Sequence, residues 1–135
     1  MFIFSNSGVN AVPVEMAILA QQAGVAVIGV LSRQYCAQAP LSPVGKRLYE
    51  VVDIVIDNQI PPGDALVEIG QSGLRSGAAS TIVGAFLLNA ILTEAECRLF
   101  NEGEAPPVYI SSNMPGAAAH NAELLRRFKP RNPHL

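Results

Sequence analysis

Charged residues of either sign are scarce in this sequence. Only 15% of the 135 residues are charged, whereas 50% are hydrophobic, and the formal net charge is −2. A chain without excess positive charge has no electrostatic basis for binding nucleic acid or an anionic membrane, so we expect neither partner. The apolar composition is typical of a sheet covered on both faces, or of a chain that hides surface in a homo-oligomer.

Metal-binding and membrane-spanning patterns are also missing. The two cysteines, Cys36 and Cys97, lack the spacing of metal ligands, and no cluster of His, Cys, Asp or Glu has that spacing. A strongly apolar stretch, residues 78–92, is interrupted by polar residues and is shorter than the roughly 20 residues that cross a bilayer. Because no secretion signal is present, we expect a reduced, cytoplasmic protein without a metal or other cofactor.

Apolar runs alternate with helical patterns along the chain. Strands are predicted at residues 2–4, 25–31, 53–57, 65–69 and 107–111. Helices are predicted at residues 12–22, 80–100 and 117–128, with one or two helical turns at 44–51. Residues 32–43 and 71–77 are expected to be irregular. The alternation predicts an α/β fold with a parallel sheet, as a single domain over residues 1–128 followed by a tail at 129–135.

The first predicted strand ends in Ser5-Asn6-Ser7-Gly8, directly before the first helix. In parallel α/β sheets, ligands bind beyond the carboxyl ends of the strands. Gly8 permits a tight turn, the helix presents its positive end, and the two serines add hydroxyl donors. No lysine is present, and the glycine spacing is not that of a nucleotide-binding loop. The residues alone leave two interpretations open, an anion site or an ordinary serine-capped turn.

This corner resembles the S-x-S-G phosphate loop of the sugar isomerase (SIS) domain. The similarity continues through VPVEMAILAQQAGVAVIGVLS, GKRLYEVVDIVIDN, PPGDALVEI, STIVGAFLLNAI and PPVYISSN, which look like an uncharacterised bacterial branch of SIS-domain proteins. The resemblance implies a three-layer α/β/α sandwich with a flavodoxin-like sheet, which binds a phosphosugar and assembles into dimers or higher homo-oligomers. It also implies an N-terminally shortened SIS domain, because such relatives carry further residues before the position of Met1.

The resemblance also assigns residues to a site. The implied phosphosugar-binding residues are Ser5, Asn6, Ser7, Gly8, Asn10, Ser80 and Thr81. Asn10 stands where many relatives carry a threonine that holds the phosphate, and the Ser80-Thr81 pair matches one that lies against the sugar. Without the resemblance, residue type and position indicate only that Ser80 or Thr81 is a helix N-cap.

Two residues are candidates for chemistry, since isomerisation of a phosphosugar needs a general base with a pKa near neutrality. His120 matches a histidine of this branch, and a position near a helix N-terminus favours its neutral form. Glu68 lies in an apolar stretch, where partial burial would raise its pKa. A surface histidine and an ion-pair carboxylate are the structural alternatives. Isomerase or etherase-like catalysis, non-catalytic sensing of a phosphosugar, and a mainly oligomer-forming role therefore stay open.

Overall fold

The computed structural model describes residues 1–132 and residue 134. Its contacts divide the chain into two compact units, Met1–Leu88 and a second unit that begins at Asn89. In chain order the elements are β1 (Phe2–Phe4), α1 (Ala11–Gln22), β2 (Ile28–Leu31), α2 (Arg33–Gln38), a single 3-10 turn (Leu48–Glu50), β3 (Ile54–Asp57), β4 (Ala65–Glu68), β5 (Arg75–Ala78), α3 (Ser80–Asn101) and α4 (Ala117–Phe128). No helix within the described part of the chain is long and apolar enough to cross a bilayer.

The first unit contains a parallel sheet in the order β1-β2-β3. The central strand β2 pairs on both sides, so that Ile28 lies opposite Phe2 of β1 and Ile54 of β3. This strand comes from the continuous apolar run at residues 25–31, the pattern of a strand that is buried on both faces. The predicted α/β fold with a parallel sheet is confirmed.

One apolar core holds the first unit together. It joins side chains from β1, α1, β2, α2 and the 3-10 turn, with Val14, Val27, Leu31 and Leu48 fully buried. Each fully buried side chain of this size stabilises the fold by about 1.5–3 kcal/mol. Because α1 packs into this core next to β1, the core fixes the short connection between the two elements, where Ser5–Gly8 lie.

Two segments that were predicted to be irregular contain regular structure. The helix α2 forms within residues 32–43 because the Ser32 hydroxyl caps it, accepting a hydrogen bond from the Tyr35 N–H at 3.2 Å. The strand β5 begins within residues 71–77, ends at Ala78 and pairs antiparallel with β4. The strand predicted at 65–69 therefore lies in a separate two-stranded hairpin and adds nothing to the parallel sheet.

The strand predicted at residues 107–111 is wrong, because the described segment forms no ladder with another strand. Asn121 of α4 satisfies both backbone groups of Ile110 instead. The Ile110 N–H donates to Asn121 Oδ1 at 2.9 Å, and Asn121 Nδ2 donates to the Ile110 carbonyl at 2.7 Å. A side-chain amide thus supplies the donor and acceptor that a neighbouring strand would have provided.

Candidate functional site

The Ser5–Gly8 loop begins as a continuation of the parallel sheet. The Ser5 N–H donates to the Val30 carbonyl, and the Ser32 N–H donates to the Asn6 carbonyl, both at 3.0 Å. These bonds extend the β1–β2 ladder past the end of each strand. The first half of the loop is therefore fixed at the carboxyl edge of the sheet, the edge at which α/β folds bind ligands.

Gly8 turns the chain from this edge into α1. Its φ of +58° lies in the left-handed region that favours glycine. A Cβ at this position would lie only 2.6 Å from Cys36 Sγ, and the Gly8 carbonyl accepts a hydrogen bond from the Leu48 N–H at 2.7 Å. Both the backbone conformation and the packing of the core behind it therefore demand glycine here.

The polar groups at the front of the loop are left without partners. Within the described residues, no hydrogen bond engages the hydroxyl of Ser5 or Ser7, and none engages the backbone N–H of Ser7 or Gly8. Asn10 occupies the N-cap position of α1, but its side chain makes no capping bond. The loop and the start of α1 thus present a group of unused donors, together with the positive end of a helix.

A cavity of about 610 Å³ lies in front of these donors, and we call it the loop cavity. Its volume is within the roughly 300–1,000 Å³ that is typical of small-molecule sites. The residues that line it are Ile3, Phe4, Ser5, Asn6, Ser7, Asn10, Val12, Pro13, Met16, Tyr35 and Asp64. Four of the seven predicted phosphosugar-binding residues are among them, and a fifth, Gly8, forms the turn behind.

A second cavity of about 360 Å³ adjoins the same loop and is called the helix cavity here. Its lining residues are Phe4, Ser5, Asn6, Val30, Ser80, Thr81, Gly84, Ala85 and Leu88. Gly84 allows α3 to approach the Phe4 ring, since a Cβ there would lie 3.2 Å from Phe4 Cδ1. The structure therefore brings Ser80 and Thr81 together with Ser5 and Asn6, although 74 or more positions separate them in sequence.

Asp64 is a site residue whose position was not predicted. Its Oδ2 accepts a hydrogen bond from the Ser80 hydroxyl at 2.7 Å, and its Oδ1 accepts from the backbone N–H groups of Ser80 at 2.8 Å and Ala79 at 3.2 Å. This carboxylate occupies the N-terminal end of α3, where the helix dipole favours negative charge. The Ser80 hydroxyl is thereby engaged inside the protein, whereas Thr81 is exposed at the helix cavity.

Asn6 is held by a second amide side chain. Asn58, directly after β3, donates from Nδ2 to Asn6 Oδ1 at 2.9 Å, while its own Oδ1 accepts from the Ile60 N–H at 3.1 Å. The remaining donor of this pair, Asn6 Nδ2, is buried and has no hydrogen-bond partner among the described residues. Leaving a buried donor unpaired costs about 1–3 kcal/mol, so an acceptor that reached it from either neighbouring cavity would be stabilising.

The two predicted catalytic residues are each described by their own surroundings. Glu68 is exposed on β4, opposite Arg75, so the partial burial expected for it is not found. His120 lies in the second unit, where its Nε2 is 2.8 Å from the Val108 carbonyl. Since a carbonyl only accepts, Nε2 carries the proton in this bond. Glu68 is not among the residues that line the two cavities.

The thiol of Cys36 supports the loop from the buried side. Cys36 is fully buried and its Sγ lies 3.6 Å from the Gly8 carbonyl. Burial raises the pKa of this thiol, and the nearby Arg47 guanidinium opposes the rise only in part. Cys36 is therefore a neutral packing residue at neutral pH. No group of three or more His, Cys, Asp or Glu in the described chain is arranged to hold a metal ion.

Comparison with known proteins agrees with the resemblance predicted from the sequence. The family model of the SIS domain matches residues 1–32, which include β1, the Ser5–Gly8 loop, α1 and β2. The whole chain is 42% identical to a UPF0309 protein of Brucella anthropi and to one of Brucella canis, and 41% identical to one of Brucella abortus strain S19. It spans 54% of the length of each of these relatives. The predicted resemblance to SIS-domain proteins is confirmed.

Proposed function

Because this chain is related to SIS-domain proteins through its first 32 residues and to UPF0309 proteins along its whole length, we propose that it binds a phosphorylated sugar or amino-sugar derivative. The phosphate lies in the loop cavity, against Ser5, Asn6, Ser7 and the start of α1. The sugar extends along the shared wall of the two cavities toward Thr81.

One observation carries this proposal, namely the unused hydrogen-bond donors that surround the loop cavity. Phosphate oxygens accept hydrogen bonds from hydroxyls and backbone N–H groups, and a helix N-terminus adds favourable charge. In an ordinary serine-capped turn, the serine hydroxyl would instead accept a hydrogen bond from a backbone N–H of the following helix. The described structure contains no such bond at α1, so an anionic ligand accounts for these side chains better than capping does.

A thermal-shift screen of sugar phosphates against the same sugars without phosphate tests the proposal. A ligand at a hundred times its dissociation constant should stabilise the native state by about 2.7 kcal/mol, and only phosphorylated compounds should do so. The Ser7→Ala variant should lose most of this shift while keeping the unliganded melting temperature, because the Ser7 hydroxyl has no hydrogen-bond partner in the described part of the chain.

Ser76→Ala provides the matched control. Ser76 is an exposed residue of β5 outside both cavities, so this variant removes the same hydroxyl but should retain the full ligand shift. Absence of a phosphate-dependent shift in the folded wild-type protein would refute the proposal. An equal shift in the Ser7→Ala variant would refute the assignment of the loop.

Sugar-phosphate isomerisation is the second candidate. It needs a general base within hydrogen-bond reach of the sugar carbons, and His120 and Glu68 are the predicted groups. Glu68 is exposed and lines neither cavity, which favours binding or sensing without turnover. Enzymatic assay of any ligand found by thermal shift, with His120→Gln and Glu68→Gln as variants, distinguishes the two functions.

We also propose that the chain acts as a homo-oligomer. The helix α3 supports this, because its apolar side chains Ile82, Phe86 and Phe100 are 73%, 69% and 71% exposed. Exposed apolar side chains along a single helix are common at protein–protein interfaces. A mass above that of one chain in light scattering would agree with this proposal, and a monomer at micromolar concentration would contradict it.

A further inference from the structure

The loop cavity contains an acidic side chain and no basic one to balance it. Of the described residues that line the cavity, Asp64 alone is charged, and the helix cavity has no charged lining residue. A phosphate bound by the loop would therefore be held by hydroxyls, N–H groups and the start of α1, with a carboxylate in the same cavity. The charge on the rest of the ligand should then affect its affinity, because Asp64 is the one charged side chain in the described lining that can attract or repel it.

The fold keeps Asp64 in this place. Its N–H donates to the Pro61 carbonyl at 3.0 Å, which closes the turn before β4, and its φ of +67° is one that Asp tolerates better than most residues. The three hydrogen bonds from Ala79 and Ser80 hold both carboxylate oxygens at the start of α3. A ligand therefore cannot displace this carboxylate without breaking the cap of the helix.

The carboxylate retains one unused position. A carboxylate accepts about four hydrogen bonds, and Asp64 receives two on Oδ1 and one on Oδ2. The free position on Oδ2 suits a hydroxyl or ammonium group, both of which donate. It does not suit a carboxylate on the sugar, which cannot donate a hydrogen bond to Oδ2 and would bring its negative charge directly against that of Asp64.

We propose that Asp64 determines the substrate class of this site, selecting phosphate monoesters of neutral or amino-bearing sugars and rejecting those that carry a carboxylate. This inference rests on the proposed function, because it assumes that the loop holds the phosphate. It narrows that function, since acidic sugar phosphates are excluded. Asp64 is a specificity-determining residue here and takes no part in bond making or breaking.

Isothermal titration with three probes tests this selection. The probes are glucose 1-phosphate, glucosamine 1-phosphate and glucuronic acid 1-phosphate, which share a pyranose ring and a phosphate ester and differ in the charge on the sugar. The wild-type protein should bind glucuronic acid 1-phosphate at least about ten-fold more weakly than the other two, as expected for a carboxylate close to that of Asp64. In the Asp64→Asn variant this difference should shrink to about two-fold or less.

The variants are chosen to keep the fold. Asparagine tolerates the same positive φ and retains an oxygen for the N–H groups of Ala79 and Ser80. Asp57→Asn is the matched control, because Asp57 is also a carboxylate at the carboxyl edge of the sheet but lines neither cavity. It removes the same charge from the protein and should leave the ratio of affinities at the wild-type value.

The outcomes separate this inference from the proposed function. Ser7-dependent binding of all three probes with equal affinity would overturn the role of Asp64 and leave phosphate binding intact. An unchanged ratio in the Asp64→Asn variant would do the same. If no phosphate ester binds the folded wild-type protein, the proposed function fails and the inference fails with it.

Discussion

The starts of α1 and α3 are chemically alike but differ in what occupies them. The helix α1 follows the Ser5–Gly8 loop, and α3 begins at Ser80 directly after β5. Each of the two helices borders a cavity at that loop. At α3, the Asp64 carboxylate binds two backbone N–H groups and the Ser80 hydroxyl. At α1, the Asn10 side chain makes no capping bond and the preceding serine hydroxyls have no partner among the described residues.

This difference shows which helix start is already capped by its own chain and which still has hydrogen-bond donors for a ligand. A helix N-terminus is stabilised by an anion, and α3 obtains one from its own chain. The same chain offers none to α1 within the described structure, and the phosphate proposed above would supply one. Three predictions test the comparison, beginning with the largest expected effect.

Gly8→Ala should be the most destabilising change at the α1 side. The new Cβ would meet Cys36 Sγ at 2.6 Å and would also hold alanine at a φ of +58°. Overpacking and the left-handed conformation together should lower the free energy of unfolding by about 2–5 kcal/mol. Urea unfolding monitored by circular dichroism measures this change.

Gly45→Ala separates the two causes. Gly45 has a φ of +69°, but a Cβ there would have no neighbour within 4 Å, so only the conformational cost of about 1–2 kcal/mol should remain. Equal losses for the two variants would show that the contact with Cys36 does not constrain the loop.

Asp64→Ala should be intermediate, because it removes the anion that the chain itself supplies to α3. Loss of a capping side chain lowers the free energy of unfolding by about 0.5–2 kcal/mol, and the Ser80 hydroxyl also loses its acceptor. Asn10→Ala at α1 should change it by less than about 0.5 kcal/mol, since no capping bond is lost. Similar losses at the two positions in urea unfolding would contradict the contrast between these helices.

The smallest expected effect concerns the thiol behind the loop. Burial raises the pKa of Cys36 above the ordinary thiol value of 9.0. As the pH rises, the unfolded chain therefore loses the thiol proton at a lower pH than the folded protein does. Its contribution to stability is therefore complete below about pH 9 and is lost as the pH rises through the higher, folded pKa. Cys36→Ala should reduce the fall in melting temperature between pH 8 and pH 10.

Alkylation gives a second measurement on the same thiol. Cys97 is exposed and should react with iodoacetamide at pH 8, whereas Cys36 should react only in denaturant. Mass spectrometry of the native protein should therefore find one adduct per chain. Two adducts on the native protein would mean that the loop opens readily from its buried side.

Much of the fold was predictable because local patterns dominate it. The helix predicted at residues 117–128 is α4, and the one at 80–100 differs from α3 by a single residue. The strand at 107–111 was predicted from Val108, Tyr109 and Ile110, yet strand propensity does not supply a pairing partner, and Asn121 takes that place. β5 was missed because its sequence, RSGA, contains no β-branched or aromatic residue.

The site was predictable in its residue types but only partly in its arrangement. Glycine and serines after an apolar strand indicate a cradle for an anion through local chemistry alone. The contact between Asp64 and Ser80 spans 16 positions and depends on how the hairpin meets α3, which no local pattern encodes. The Pro61-Pro62-Gly63-Asp64 turn was visible in the sequence, but nothing in it indicated which helix the carboxylate would cap.

The double constraint on Gly8 bears on how this protein's relatives should be compared. If the proposed function is correct, a lineage that stopped binding the ligand would still need glycine at this position, since alanine meets Cys36 in the core whatever the loop binds. Ser5 and Ser7 face no such requirement, because no described intramolecular bond depends on their hydroxyls. Relatives in which the two serines vary while the glycine stays constant would therefore be ones that keep the fold of the loop without binding the ligand.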